Sequence, residues 1–364
     1  MGLISVAHAR LTVGAWAAVT LAACAPKPAA VTPLVVFPPP PDTARIQFLT
    51  RFGGAEDLGR GRSFLDVVAG PGDEGPAAIQ KPYGIAIHEG RIYVCDTRLP
   101  GVDVLDLRKR SFTPFQPRGE GWLGAPSGCF VDAADGRLFV ADVQRGQVVV
   151  FDSTLTYVAA FGEGPEAKPA DVFIEGDRIW VSDIGTASVR AYDRRTYALR
   201  WELPRVEPGA PAYLRQPTHI AVRDGRLYVS DGLLFTVKVF DLEGNLLHAV
   251  GTLGRGPGQF ARPKGIAVDR EGRLYAVDAA FENVQLFDVE GNLLTYFGGP
   301  YEGPGYLYLP VKVVVDYDNL SYFQQFVNPR FNLKHLVLVT NQFGPDKVTV
   351  YGFVEPKEAE RGIP

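Results

Sequence analysis

The chain has 364 residues, 46% of them hydrophobic and 21% charged, with a formal net charge of −4. That much apolar content over that length supports a large folded core and excludes a disordered chain, and the mild acidity argues against nucleic acid as a partner. Glycine (40) and proline (29) are abundant without a collagen period, which points to many turns.

In chain order, the first 24 residues stand apart. Arg10 and the amino terminus supply positive charge, and residues 11–23 form an apolar run too short to span a bilayer as a stable helix. The run closes on LAAC, residues 21–24, which resembles the bacterial lipobox. The resemblance implies a signal peptide over 1–23, cleavage before Cys24, and lipid (palmitate) on that cysteine; the alternative is an ordinary secretory peptide with an incidental cysteine. Ala25 rather than Asp follows, which favours sorting to the outer membrane. Residues 25–41 hold seven prolines. Proline fixes φ and removes a donor, so this stretch reads as a stiff extended tether of about 50 Å, the tether as a whole covering 24–43.

A segment ARIQFLTRFG, 44–53, reads as a strand with no partner strands before it, and 54–80 as a Gly-rich insertion with one helical turn around residues 64–68. From residue 81 the chain repeats itself. A proline opens each copy: KPYGIAI (81–87), APSGCFV (125–131), KPADVFI (168–174), QPTHIAV (216–222) and RPKGIAV (262–268). Second strands follow, GRIYVCD, GRLFVAD, DRIWVSD, GRLYVSD and GRLYAVD, ending at Asp96, Asp142, Asp183, Asp231 and Asp278. Ten residues on, a third strand ends at Asp106, Asp152, Asp193, Asp241 and Asp288. The turns LEGNLL and VEGNLL then lead into a fourth strand, glycine supplying the positive φ of the hairpin.

Four short alternating strands at a period of forty-odd residues describe the blade of a propeller. A lone four-stranded sheet cannot bury both faces, so each blade needs a neighbour on either side. Ala86, Ala221 and Ala267 suit the crowded innermost strand, and Tyr93, Phe139, Trp180, Tyr228 and Tyr275 the widening wedge. A sixth, altered blade runs LPVKVVV (309–315), HLVLVTN (335–341) and KVTVYGF (347–353), with Asn341 in place of Asp and no fourth strand after it. Residues 44–53 are expected to supply that strand and close the ring. Blades are placed near 81–123, 125–162, 168–203, 216–251, 262–298 and 309–353, with a tail over 356–364. Cys95 and Cys129 fall in strands and read as buried free thiols rather than a disulfide. Tyr322, Phe323, Phe326 and Phe331, in an insertion over 318–334, form either a partner surface or a cluster folded onto its own blade.

The proline openings, GRLYVSD strands and VFD-x-EGN turns resemble the NHL-repeat family of six-bladed β-propellers over about 45–353. In such a ring, loops around the axis on the face of the opening prolines carry function. Two residues after each proline come Gly84, Gly128, Asp171, His219, Gly265 and Lys312, with Lys81, Arg98, Arg145, Lys168, Arg215, Arg262 and Lys264 nearby. The candidate binding face is Tyr83, Arg98, Arg145, Asp171, His219, Lys264 and Lys312. Its lysines and arginines suit an anionic group on a partner; alternatively they are solvated cations offset by the strand-end aspartates.

Some propellers of this type are enzymes. The resemblance to the peptidyl-amidating lyase would imply zinc held by several histidines, yet only His219 lies near such a site, and a zinc site wants three or four ligands. Calcium lactonases need Glu, Asn and Asp on the axis, and no such set is present. No CxxCH motif for c-type haem occurs either. No metal or cofactor is expected. Asp171 and His219 remain a conceivable acid/base pair for an alternative lyase or lactonase-type reading. The favoured reading is a lipid-anchored scaffold propeller of the bacterial cell envelope. Residues 325–353 look similar to the tails of NHL lipoproteins from bacteria rich in multihaem cytochromes, which implies a cytochrome or secretion component as partner.

Overall fold

A short strand, β1 (Val36–Phe37), and a longer one, β2 (Ile46–Phe52), precede the repeats in a computed structural model describing residues 2, 34–59, 77–204 and 206–357. The signal segment, Cys24 and the predicted turn at 64–68 lie outside these residues. The unit described below begins at Leu34. Among the described residues no helix is long and apolar enough to cross a membrane.

Each repeat folds as four antiparallel strands, laid down from the axis outward. The first blade is β3 (Pro82–His88), β4 (Arg91–Asp96), β5 (Gly101–Asp106) and β6 (Ser111–Phe115). The second is β7 (Pro126–Val131), β8 (Leu138–Asp142), β9 (Gln147–Phe151) and β10 (Tyr157–Phe161). The third is β11 (Pro169–Glu175), β12 (Arg178–Asp183), β13 (Ser188–Asp193) and β14 (Leu199–Leu203). The fourth is β15 (Pro217–Arg223), β16 (Arg226–Asp231), β17 (Thr236–Asp241) and β18 (Leu246–Val250). The fifth is β19 (Pro263–Val268), β20 (Leu274–Asp278), β21 (Asn283–Phe287) and β22 (Leu293–Gly298). The sixth combines β23 (Pro310–Asp316), β24 (Phe331–Asn341) and β25 (Val348–Pro356) with β2 and β1, in the order β1-β2-β25-β24-β23. The innermost strands touch in sequence and return from β23 to β3, so the ring is a closed six-bladed propeller.

The N-terminal strand therefore closes the last blade: Ile46 pairs with Phe353 and Phe52 with Val348. The propeller also begins earlier than residue 44. Val36 and Phe37, at the end of the proline-rich stretch, pair with Gln47 and Ile46 as a fifth strand. Val35 and Phe37 pack against the core between the fifth and sixth blades, with the Phe37 ring 6.1 Å from that of Tyr306. Apolar alternation outweighs the neighbouring prolines there, because an outermost strand tolerates missing donors.

The core is divided. Six hydrophobic clusters lie among the described residues, each between two adjacent blades. Tyr93, Phe139, Trp180, Tyr228 and Tyr275 are all buried in them, as are the small Ala86, Ala221 and Ala267. Cys95 and Cys129 are buried free thiols in the cluster between the first two blades. Phe323 is buried against Phe52 and closes the seam between the sixth and first blades, while Phe326 stays exposed.

The aspartates at the ends of second strands do more than cap the following turn. Asp231 accepts from Leu233 N and Leu234 N in that turn, and also from Arg215 N and Gln216 N ahead of β15. Asp96 and Asp278 repeat this four-donor latch. A carboxylate is the one short side chain that accepts on both sides at once. Asn341 keeps only half of it, accepting from Tyr308 N and donating to the Asp346 carbonyl. The LEGN and VEGN turns hold Gly244 and Gly291 at φ 93° and 90°.

Candidate functional site

The pleat of the innermost strands stacks side chains along the axis in layers two residues apart. The uppermost layer, two residues past each proline, has three glycines and three polar side chains: Asp171, His219 and Lys312. All three polar residues are buried. The glycines make room for them, since a Cβ on Gly128 would stand 2.6 Å from Asp171 Oδ1 and one on Gly265 2.5 Å from Lys312 Cα.

Around the ring β11 and β23 face each other, as do β3 and β15. Two contacts cross the axis accordingly. The Lys312 ammonium donates to Asp171 Oδ2 in a buried ion pair, and Asp171 Oδ2 also accepts from Ile220 N at 3.1 Å. The Tyr83 ring stacks on His219 with centroids 5.9 Å apart and planes 9° from parallel. Lys264 lies over the same tyrosine, its Nζ 5.8 Å from the ring centroid and 3.5 Å from the hydroxyl. Together these groups close the axis at the proline face.

Burial pushes the Asp171 carboxyl upward, opposed by Lys312. Burial also drives His219 well below its ordinary value, reinforced by Lys312 and Lys264, so the ring is neutral. Both imidazole nitrogens and Asp171 Oδ1 are buried without a hydrogen-bond partner among the described residues. Asp171 and His219 thus share a layer without bonding to each other. Among the described residues no three His, Cys, Asp or Glu side chains are placed to hold a metal ion.

Five of the seven residues singled out from the sequence meet on this axis: Tyr83, Asp171, His219, Lys264 and Lys312. The other two stand on the rim. Arg98 is exposed in the turn after β4. Arg145 is engaged by the link between the first and second blades, donating to the Glu120 and Trp122 carbonyls at 2.7 and 2.8 Å and lying over the Trp122 ring. Lys312, buried and paired, is not a solvated cation.

Sequence reasoning overlooked the apolar side of the rim. Leu99, Trp122, Leu233, Leu253, Tyr308 and Phe343 are all exposed in turns on the proline face, Leu253 at 63%. Tyr301, Tyr308 and Phe343 stack successively at 6.2 and 5.6 Å. The signal was available: each residue falls just after a second strand or in the link from a fourth strand to the next opening proline.

Ring closure, strand order and the axial polar layer define a six-bladed β-propeller. A family described as a 6-bladed beta-propeller matches residues 212–343, and the NHL-repeat resemblance is compatible with it. No curated protein matches the chain. Among solved structures it is similar to a Bacteroides thetaiotaomicron protein of unknown function (16% identity, TM-score 0.56, covering 85% of this chain and 76% of that one). It is also similar to a streptogramin B lyase (12%, 0.52, 75% and 83%) and to virginiamycin B lyase from Staphylococcus aureus (11%, 0.51, 77% and 85%). At these identities the likeness is one of fold.

Proposed function

We propose that this propeller is a lipid-anchored binding module of the bacterial envelope, docking a protein partner on the face of the opening prolines. The observation that carries the reading is the set of six exposed large apolar side chains on that face, interspersed with the exposed Lys81, Arg98, Lys168, Arg215 and Arg262. Exposed apolar groups set among cations suit a partner surface that is apolar at its centre and acidic at its edge. A cytochrome or secretion component of the envelope is the kind of partner the sequence resemblances favour, and Cys24 would hold the ring at the outer membrane.

Crosslinking in intact cells tests this. Leu253→Asp and Phe343→Asp together are expected to reduce the partner crosslink at least tenfold while leaving the melting temperature unchanged. Cys24→Ala is expected to release the protein from membranes. An unchanged crosslink pattern in the double variant would sink the docking face.

A further inference from the structure

Below the polar layer the innermost strands enclose a cavity of about 300 Å³ that opens at the strand ends opposite the prolines, where Glu175, Arg223 and Asp316 line its edge. Of the polar layer only Lys312 reaches it, and that ammonium is already paired with Asp171, so the inner end calls for no further charge. The wall between is apolar. Phe130 and Phe173 stand 4.9 Å apart on neighbouring blades, half-buried, with the small Ala86, Ala221 and Ala267 in the same layer.

The charges at the mouth are unspent. Glu175 and Arg223 end the innermost strands of adjacent blades, β11 and β15, yet neither side chain makes an ion pair or hydrogen bond among the described residues. Arg223 Nε is buried without an acceptor, while the two terminal nitrogens, equally without one, keep access to solvent. Asp316 differs, since its two oxygens accept from Asn319 N and Nδ2, each at 2.8 Å.

We propose that this cavity binds a free α-amino acid with a large apolar side chain, the side chain in the bore against Phe130 and Phe173, the carboxylate on Arg223 and the ammonium on Glu175. The volume sits at the lower end of the range for ligand cavities, about 300–1,000 Å³, so a single ring fits. The Phe130 and Phe173 rings, tilted 55° to each other, offer an edge and a face to an aromatic group. At the mouth, a cation and an anion on neighbouring strands match an ammonium and a carboxylate borne on one carbon. The terminal nitrogens of a guanidinium receive a carboxylate through two parallel hydrogen bonds. An acid lacking the ammonium would set its charge beside that of Glu175 with nothing to offset it, and an amine lacking the carboxylate would do the same beside Arg223. Each such loss of a charge-assisted bond weakens binding about tenfold or more. The cavity opens on the face opposite the docking rim, so the two proposals are tested apart.

The test is calorimetric titration of the purified full-length protein with L-phenylalanine, 3-phenylpropanoate, 2-phenylethylamine and L-alanine. Saturable one-site binding of L-phenylalanine is expected, with each of the other three about tenfold weaker or more. Arg223→Gln should bind L-phenylalanine no better than 2-phenylethylamine, and Glu175→Gln should bind it no better than 3-phenylpropanoate. Should either variant fail to fold, the ligand comparison in the wild type decides alone. No saturable binding of L-phenylalanine, equal wild-type affinity for any of the other three, or a preference over 2-phenylethylamine that survives in Arg223→Gln would each overturn the proposal.

Discussion

At the scale of single residues, the axial layer is held by an ion pair whose charges have no solvent to fall back on. Removing one partner strands the other, whereas removing both leaves a neutral gap. Asp171→Asn or Lys312→Met alone is therefore expected to cost about 3–5 kcal/mol, and the double variant markedly less than their sum, measured as urea midpoints. A second buried carboxylate has no such partner. Burial, then the nearby Asp96, pushes Asp103 up to about 7. The third and fifth blades carry Arg190 and Gln285 at the matching position, and Arg190 pairs with Asp183 where Asp103 meets another acid. The folded state thus keeps a proton that the unfolded chain releases near pH 4. The corresponding stability is present below that pH and is lost as pH rises through about 7. Asp103→Gln should flatten the profile between pH 5 and 8 and stabilise the protein at pH 8 by on the order of 1–4 kcal/mol.

At the scale of strands, the repeat was legible because it combines period-two alternation with punctuation: a proline at the start, an aspartate at each end. The five regular blades follow from that, and the lone strand at 44–53 pointed to closure by the amino end. Ile46 and Phe48 are buried in the seam between the fifth and sixth blades. Ile46→Asp would place a charge there without a partner, and is expected to abolish cooperative unfolding, read by near-ultraviolet circular dichroism. β1 was hidden because its two paired residues, Val36 and Phe37, sit among prolines that argue for a tether. The two-sided role of the strand-end aspartates was half visible. The turn they cap is local in sequence, but the amides ahead of the proline come within reach only once β15 and its counterparts have paired. The axial site was legible in membership and illegible in pairing. Alignment gives the height of a residue along the axis, while Lys312 meets Asp171 because blades three places apart in six face each other across a narrow bore.

At the scale of the whole molecule, the ring separates its surfaces. One face has an apolar and basic rim over a buried polar layer; the other has the mouth of an axial cavity, with Glu175, Arg223 and Asp316 at its edge. Nothing in the repeat itself distinguishes them, since every blade contributes to both. The distinction comes from the departures: Asp171, His219 and Lys312 where three sister blades have glycine, and Leu253, Tyr308 and Phe343 where a turn needs nothing large.

The seam of the sixth blade also sets a schedule. Arg51 bonds Asp346, 295 residues further along the chain, and the strands on either side of that bond are the first long strand and the last. A polypeptide made from its amino end must carry residues 46–52 unmatched until residues 348–353 have been made. The five regular blades can assemble as they emerge, but the circle cannot lock until the final strand is released. Until then an apolar edge is open to any neighbouring chain.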